Sequence, residues 1–509
     1  MDAITSGLLE SLSLANICYV FIGVTLGNII GAIPGLNSMM AIAIAVPITF
    51  YMPTVGAIGF LVGINKGGAF GGSISAILMN IPGTPDAAAT CFDGYPMHKQ
   101  GKGVKALKIS LYASVFGDTF STILLIIVAA PIARVALHLG SAELCALMIF
   151  ALTLIADLES ENICKGVIAA AAGLLVSTIG LEPVSSQPRL TFGLYQLENG
   201  IPLGAISIGL LAMSEILMHI REYKGLDPTA LRDAAVGARK KENSLPLAEC
   251  IRMLPTLVRA SLVGVFAGIM PGIGGTVSAF LSYGIEKKQS KQPEEFGKGK
   301  AEGIAAPEAA NNAVIGANLI PLFTLGIPGS VSSALLIGAF IIHGITPGPM
   351  MFQTHPATIY GIYGTMMLGN LLSLFIGYAG LHLFIRVLSI PKRILYPTIL
   401  YICLVGAYVA DSTMTAVLIS LIFMATGYAM KRLNFSFVSF IIGFVLGPSL
   451  ELTMQQTIIS GLGSPVLLFT RPVACFFMLL TAFVVLRKTF LFLRESGFLQ
   501  KHPGRAEKN

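Results

Sequence analysis

There is no tryptophan in these 509 residues, and charged side chains make up only 12% of them. A soluble globular chain carries roughly 25% charged residues, so the deficit speaks against an ordinary water-soluble domain. Hydrophobic residues reach 54% and the mean hydropathy is +0.78. That composition fits a polytopic membrane protein, with room for about a dozen spans of ~20 residues. Without tryptophan, the interfacial belts must rest on tyrosine and phenylalanine. The seven cysteines (Cys18, Cys91, Cys145, Cys164, Cys250, Cys403 and Cys475) form no Cys-x-x-Cys pair, which argues against a disulfide framework or a thiolate metal site. The histidines show no His-Glu-x-x-His spacing, and neither a Gly-x-Gly-x-x-Gly fingerprint nor a Walker loop occurs. Gly461-Leu462-Gly463-Ser464-Pro465 is an isolated glycine-rich turn. No serine–histidine or paired-aspartate motif suggests an intramembrane hydrolase, so no enzymatic activity and no cofactor are expected. The early charges are Asp2 and Glu10 rather than a basic start, so the first apolar run is expected to be retained. The net charge of +7 comes from basic residues gathered in a few loops, as in cytoplasmic loops of membrane proteins. It does not call for a nucleic-acid partner.

What is present is a repeat. Residues 27–35 read GNIIGAIPG and residues 264–272 read GVFAGIMPG, so that Gly27, Gly31, Pro34 and Gly35 recur 237 positions later (264 − 27) as Gly264, Gly268, Pro271 and Gly272. Asn80-Ile81-Pro82-Gly83-Thr84 returns 246 positions later (326 − 80) as Gly326-Ile327-Pro328-Gly329-Ser330. Proline removes a backbone donor, and glycine admits conformations outside the helix. Two hydrophobic halves broken at matching places are the mark of a secondary transporter. In lipid, such breaks survive only where protein or a water-filled cavity satisfies the freed groups. The expected fold class is an all-α polytopic membrane protein of two inverted-topology repeats with broken helices and re-entrant hairpins.

The expected organisation is a first transmembrane repeat over 1–220, a basic cytoplasmic linker over 221–259, a second transmembrane repeat over 260–493 and a polar tail over 494–509. Apolar segments lie near 12–33, 38–64, 106–130, 143–156, 165–182 and 201–220 in the first half. In the second they lie near 260–285, 358–390, 394–410, 413–429, 434–449 and 473–493. The stretch 65–105, rich in glycine and small polar residues, reads as too broken for one straight helix. It is expected to form a re-entrant or hairpin element followed by a basic loop with Lys99, Lys102, Lys105 and Lys108. Residues 260–285 have basic flanks, which suits a hairpin with its tip at Pro271-Gly272.

A helix that stops inside a membrane leaves backbone N–H or C=O groups unpaired. Its N-terminal end attracts carboxylates, while unwound carbonyls can hold Na+. The candidate substrate-binding residues are therefore Pro34, Gly35, Leu36, Asn37 and Ser38; Pro82, Gly83 and Thr84; Pro271, Gly272, Gly274 and Thr276; and Pro328, Gly329 and Ser330. Glu308, Asn311 and Asn312, in AAPEAANNA, are candidates for cation coupling together with Ser73 of Gly71-Gly72-Ser73. Asn65 and Lys66 hold the matching place in the first half (311 − 246 and 312 − 246). Plainer readings stand beside these: a helix-capping Glu308, close packing through the small residues, and internal pairing of Asp118 and Glu215.

These motifs resemble the large membrane subunit of tripartite tricarboxylate transporters, the TctA family. The resembling stretches are GAIPGLNSMMAIAIAVPITF (31–50), GGSISAILMNIPGTPDAA (71–88), DGYPMHKQGKG (93–103), GIMPGIGGT (268–276), FGKGKAEGIAAPEAANNA (296–313), FTLGIPGS (323–330), GITPGPMMF (344–352) and IIGFVLGPSLE (441–451). The resemblance implies a multi-pass subunit of the bacterial inner membrane. Its implied partners are a small TctB-like membrane subunit and a periplasmic TctC-like solute-binding protein that delivers a carboxylate such as citrate. Uptake would be driven by Na+ or H+ as coupling ion, without ATP, through elevator-type alternating access. It also places Pro34, Gly35, Asn37, Ser38, Pro271, Gly272 and Thr276 at or near the site. Leu36-Asn37-Ser38 departs from a common Gly-Leu-Gly-Pro pattern after the first Pro-Gly pair. A stand-alone channel or exporter is the alternative from another class.

Overall fold

The computed structural model describes residues 2–159, 162–222, 244–387 and 392–495. Most of the expected linker (223–243) and nearly all of the expected tail (496–509) lie outside the described residues. The helices in chain order are α1 (Asp2–Ser11), α2 (Leu14–Ala32), α3 (Ser38–Ala45), α4 (Thr54–Met79), α5 (Cys91–Met97), α6 (Gly103–Ala136), α7 (Ser141–Leu158), α8 (Ile163–Ser177), α9 (Leu203–Ser207) and α10 (Ser214–Glu222). They continue as α11 (Leu247–Ile269), α12 (Gly274–Gln289), α13 (Ala301–Ala317), α14 (Leu319–Leu325), α15 (Val331–Ile342), α16 (Met351–Thr354), α17 (Pro356–Val387), α18 (Lys392–Asp411), α19 (Met414–Arg432), α20 (Phe437–Ser460), α21 (Leu467–Thr470) and α22 (Pro472–Glu495). Among the described residues, 8 helices are long and apolar enough to cross a membrane. One two-stranded hairpin, β1 (Gly180–Leu181) with β2 (Pro188–Arg189), interrupts the helices.

The stretch expected to be broken from residue 65 is not. Residues 65–79 are the second half of one continuous 26-residue helix, α4, and the chain breaks only at Asn80. The glycines that suggested irregularity serve helix packing instead. A methyl group added at Gly27 of α2 would stand 2.3 Å from the Ile64 carbonyl oxygen, and one at Gly31 2.3 Å from that of Gly68. Small residues let two helices touch backbone to backbone, which is how helices associate where the solvent is itself apolar. The second half uses the same device. At Gly264 the added methyl would lie 2.2 Å from the Ala310 carbonyl oxygen, and at Gly268 3.0 Å from that of Val314. Ile64 and Gly68 map onto Ala310 and Val314 by the same 246-residue offset (310 − 64), so the repeat extends from sequence to packing.

Helices α11 and α12 form a hairpin that turns where expected, but its arms reach beyond 260–285: α11 begins at Leu247, inside the stretch expected to be linker, and is by itself long and apolar enough to cross a membrane. Thr256 and Arg259 on α11 both bond to Glu286 on α12, at 2.7 Å, so the two arms run antiparallel and turn at 270–273. The basic residues Lys105 and Lys108 belong to the first turns of α6 rather than to a loop.

The chain divides into two compact units, each drawing on both halves of the sequence. One comprises 1–138 and 191–433; the other comprises 139–190 and 434–509. In the smaller unit, α8 crosses α20 through reciprocal glycines: a methyl at Gly173 would meet the Phe440 carbonyl oxygen at 2.1 Å, and one at Gly443 would meet that of Ala170 at 2.4 Å. At one end of it, Arg189 makes a two-pronged ion pair with Glu451, at 2.6 and 3.0 Å. Hydrogen bonds from Ser185 and from Gln455 hold the Glu182 carboxyl down at about 2, below the usual carboxylate range. In the larger unit the segment 208–213 crosses α19 in the same way, with Gly209 against the Ser420 carbonyl and Gly427 against that of Leu210.

Replacing Gly27 by alanine is expected to destabilise the protein by ~1–3 kcal/mol, the cost of overpacking a tight contact. Gly284→Ala, at a helical position with open space around it, is expected to be neutral or slightly stabilising. Thermal unfolding followed with a thiol-reactive dye checks both, since the chain lacks tryptophan but buries Cys145 and Cys403.

Candidate functional site

Four backbone breaks are built on a common plan, two in each half. The loop after α2 turns at Gly35 (φ +92°), and the loop after α11 turns at Gly272 (φ +87°). Only glycine takes that region without strain. Helix α4 ends in a left-handed residue at Asn80 (φ 55°), and α14 ends the same way at Gly326 (φ 71°). Each of these terminal caps frees the chain to leave the helix at the following Ile-Pro-Gly.

Within each half the two loops lie against each other. A methyl at Gly83 would stand 2.3 Å from the Gly31 carbonyl oxygen, and the Gly83 N–H donates to Gly72 at 3.1 Å. In the second half the Gly272 N–H donates to the Gly329 carbonyl at 3.2 Å, and a methyl at Gly329 would be 3.2 Å from the Gly268 carbonyl oxygen. Part of the freed backbone is therefore satisfied by the partner loop in the second half, and by the Gly72 carbonyl within α4 in the first.

Across the halves the loops gather into two clusters. In the first, the Thr276 hydroxyl donates to Asp86 at 2.5 Å, and Gly275 lies against both Asp86 and the Asn311 amide oxygen. In the second, Ser332 donates to Asn65 at 3.4 Å, and Ser38 packs on Gly68. Asp86 maps onto Ser332 and Asn311 onto Asn65, again 246 positions apart (332 − 86, 311 − 65). The clusters are one arrangement built twice, with a carboxylate in one copy and a hydroxyl in the other.

The polar candidates divide between capping and open valence. Asn37 accepts from the Met40 N–H at 2.8 Å as the N-cap of α3, and Ser330 forms a reciprocal capping box with Ser333 on α15. By contrast, the Thr84 hydroxyl, the Asn311 amide nitrogen, and the amide oxygens of Asn312 and Asn318 are buried without a hydrogen-bond partner. An unpaired buried polar group costs roughly 1–3 kcal/mol, so these groups have free capacity to bond a ligand. Leu36 is fully buried in an apolar cluster with Ile208, Met213 and Tyr396.

Glu308 and Ser73 are joined to one another rather than to any of the four breaks. The carboxylate accepts from Ser73 and Thr90 at 2.5 Å and from Ser114 at 3.0 Å. Three hydroxyls thus stand in for the water that a buried carboxylate loses, and they tie α13 to α4 and α6. Asn312 donates to the Glu308 backbone at 2.9 Å, one turn away. Asp118 and Glu215 are paired internally: Asp118 faces the buried Lys66 at 3.5 Å, and Glu215 meets Lys431 and His219.

Asp86, Asn318 and His219 were not singled out from the sequence. Asp86 lies two residues past Thr84, inside the motif that was. His219 could not be read at all: its ring covers the first Pro-Gly loop, within 2.6 Å of where a Gly35 methyl would be.

Matching loops differ in exposure. Ile81 is 39% exposed and Pro82 is exposed, whereas the equivalent Ile327 is 1% exposed and Pro328 is buried. Ile33 is buried under the apolar cluster, while the corresponding Met270 is half-buried beside an exposed Ile269. In a background with the exposed Cys18 and Cys164 replaced, Ile81→Cys is expected to react with a water-soluble thiol reagent at least tenfold faster than Ile327→Cys. Equal rates would show that the two loops are equally open.

The family model described as the tripartite tricarboxylate transporter TctA family matches residues 17–442. An uncharacterized 52.8 kDa protein in the TAR-I ttuC' 3'region of Agrobacterium vitis is 36% identical over 478 residues, covering 93% of this chain and 94% of the relative. An uncharacterized protein in the TAR-II ttuC' 3'region of the same organism is 39% identical over 211 residues, 42% of this chain and 87% of the relative. No solved structure matches.

Proposed function

The chain belongs to the tripartite tricarboxylate transporter TctA family, and from that membership we propose that it is the large permease subunit of a binding-protein-dependent carboxylate importer. It sits in the bacterial inner membrane, works with a small membrane subunit, and receives a di- or tricarboxylate from a periplasmic solute-binding protein. Import is driven by symport of Na+ or H+.

The observation that carries this reading is one loop plan built twice with opposite exposure: the Pro-Gly loop is covered in the first copy and open in the second, and the Ile-Pro-Gly loop is open in the first copy and covered in the second. The halves are read as inverted-topology repeats. Interchanging the environments of the two copies then gives a second state of similar energy that faces the opposite side, and a ligand shifts the balance only by its differential affinity. Elevator-type movement of the larger unit's loop-bearing helices is the corresponding motion. The backbone N–H groups at the breaks, with Asn37, Ser38, Thr84 and Thr276, hold the substrate carboxylates, as helix N-termini do for anions. Specificity for one acid over another rests largely with the binding protein, since the permease site is built mostly from backbone.

Uptake of radiolabelled carboxylates into proteoliposomes that hold this chain and its small partner tests the reading, with the binding protein added or withheld. Uptake is expected to require both the binding protein and an imposed Na+ or H+ gradient. Gly35→Ala and Gly272→Ala are each expected to cut it at least tenfold. Uptake that proceeds without a gradient, or undiminished in the two variants combined, would sink the assignment.

A further inference from the structure

Between α4, α13 and α15 lies a pocket of about 10 Å³, room for a single water-sized occupant. Its polar lining consists of Asn65, Asn318, Ser330 and Ser333; the rest of the wall is apolar, including Ile315 and Leu336. We propose that this pocket is a Na+ site. The proposal rests on the cation-symport reading and deepens it, by naming the ion and its ligands.

The polar residues of the pocket wall offer side-chain oxygens. The Asn318 amide oxygen is buried with no hydrogen-bond partner, and the residue is 6% exposed. The Asn65 amide oxygen has one long bond, from Ser332 at 3.4 Å. At the start of α15, the N–H groups of Ser330 and Ser333 are taken up by the capping box, at 2.9 and 3.3 Å, so the donors that would repel a cation are already engaged. Hydroxyl and amide oxygens suit hard, oxygen-seeking cations, and Asn318 sits at the C-cap of α13, the end of a helix that favours positive charge.

Two features narrow the choice of ion. None of the residues lining the pocket carries an acidic or basic group, so a proton has nowhere to reside there. A neutral ligand set also fails to offset the charge of a divalent ion, which usually recruits carboxylates. The size fits one small monovalent cation and excludes the carboxylate substrate.

The other half does not duplicate the ligand set. By the 246-residue offset, Asn318 corresponds to Gly72 and Ser333 to Ala87, so two oxygens are lost, while Asp86 stands where Ser332 does. The neutral four-residue set exists once, on the covered side of the molecule.

The test is a Na+ titration of the purified full chain with its small subunit. Thermal unfolding is followed by the thiol dye at constant pH, with choline holding the ionic strength. Na+ is expected to raise the unfolding midpoint saturably, and K+ is not. Ser333→Thr, which keeps the hydroxyl, is expected to retain the response. Ser333→Val, of equal volume without the hydroxyl, is expected to weaken apparent Na+ affinity at least tenfold, as is Asn318→Leu. Because the Thr and Val variants share a shape, comparing their midpoints in choline separates loss of the ion from loss of the fold. No saturable Na+ shift in the parent chain, or equal shifts in the Thr and Val variants, would overturn the site, whatever drives uptake. A normal, Ser333-dependent Na+ shift with no gradient-driven uptake would support the site and remove the symport reading.

Discussion

A backbone that leaves the helix inside a membrane has no water to bond with, and the rest of this structure follows from meeting that demand four times. Each unsatisfied N–H or C=O in an apolar slab costs several kcal/mol. Part of the solution is to bring two breaks face to face, so that one loop's N–H meets another's carbonyl, as Gly272 meets Gly329. Such contact needs backbones closer than any side chain allows. The glycines at 27, 31, 264 and 268 are therefore not incidental to the breaks; they set the distance at which paired loops can satisfy each other. The long helices α4 and α6 and the α11–α12 hairpin serve as the rigid frame that holds the loops at that distance.

Under the alternating-access reading, duplication is what would let this frame move. Because Asp86, Thr84 and Asn80 have counterparts in Ser332, Ser330 and Gly326, the two copies could exchange which loop is covered and which is open while keeping similar local contacts. The first Pro-Gly loop is covered by residues 208–216, by His219 and by Tyr396 of α18. In the second half the corresponding surface, around Phe266, Ile269 and Phe280, is exposed. Small substitutions between the copies then matter a great deal, since they are what makes the two conditions chemically different.

Much of this was legible in the sequence because the evidence was positional. Pro-Gly and Ile-Pro-Gly recurring at fixed offsets marked every break, and basic flanks marked the hairpin whose arms Arg259 and Glu286 join. The reading failed where one residue type serves two ends. Gly67, Gly68, Gly71 and Gly72 looked like breaks, yet α4 runs unbroken through them, because intrahelical hydrogen bonding survives glycine when a neighbouring helix packs on the gap. Long-range partners were beyond reach. Nothing in AAPEAANNA says that Ser73, Thr90 and Ser114 will converge on Glu308 from three other places in the chain. Asp86 went unremarked because its meaning comes from Thr276, 190 residues away.

The buried charges bear on how a carboxylate could be released as well as bound. Lys66, the cation best placed to hold an acid at the centre of the molecule, is fully buried and spends its charge on Asp118, with Asn370 and Thr122 around it. Removing one member of such a pair leaves the other uncompensated, at a cost of about 3–5 kcal/mol, so it is poorly suited to exchanging partners with a passing substrate. The proposed site is left with backbone N–H groups, hydroxyls and amides, with the Asp86 carboxylate beside them, and these bind an anion weakly on their own. A Na+ held close by would supply the missing positive charge only while it is bound. Ion and acid would then each raise the other's affinity by the same factor, as linkage requires. Under that reading, the lack of a fixed positive charge at the breaks is the source of coupling: a permanent cation would hold the acid with or without the ion, and the gradient would have nothing to act on.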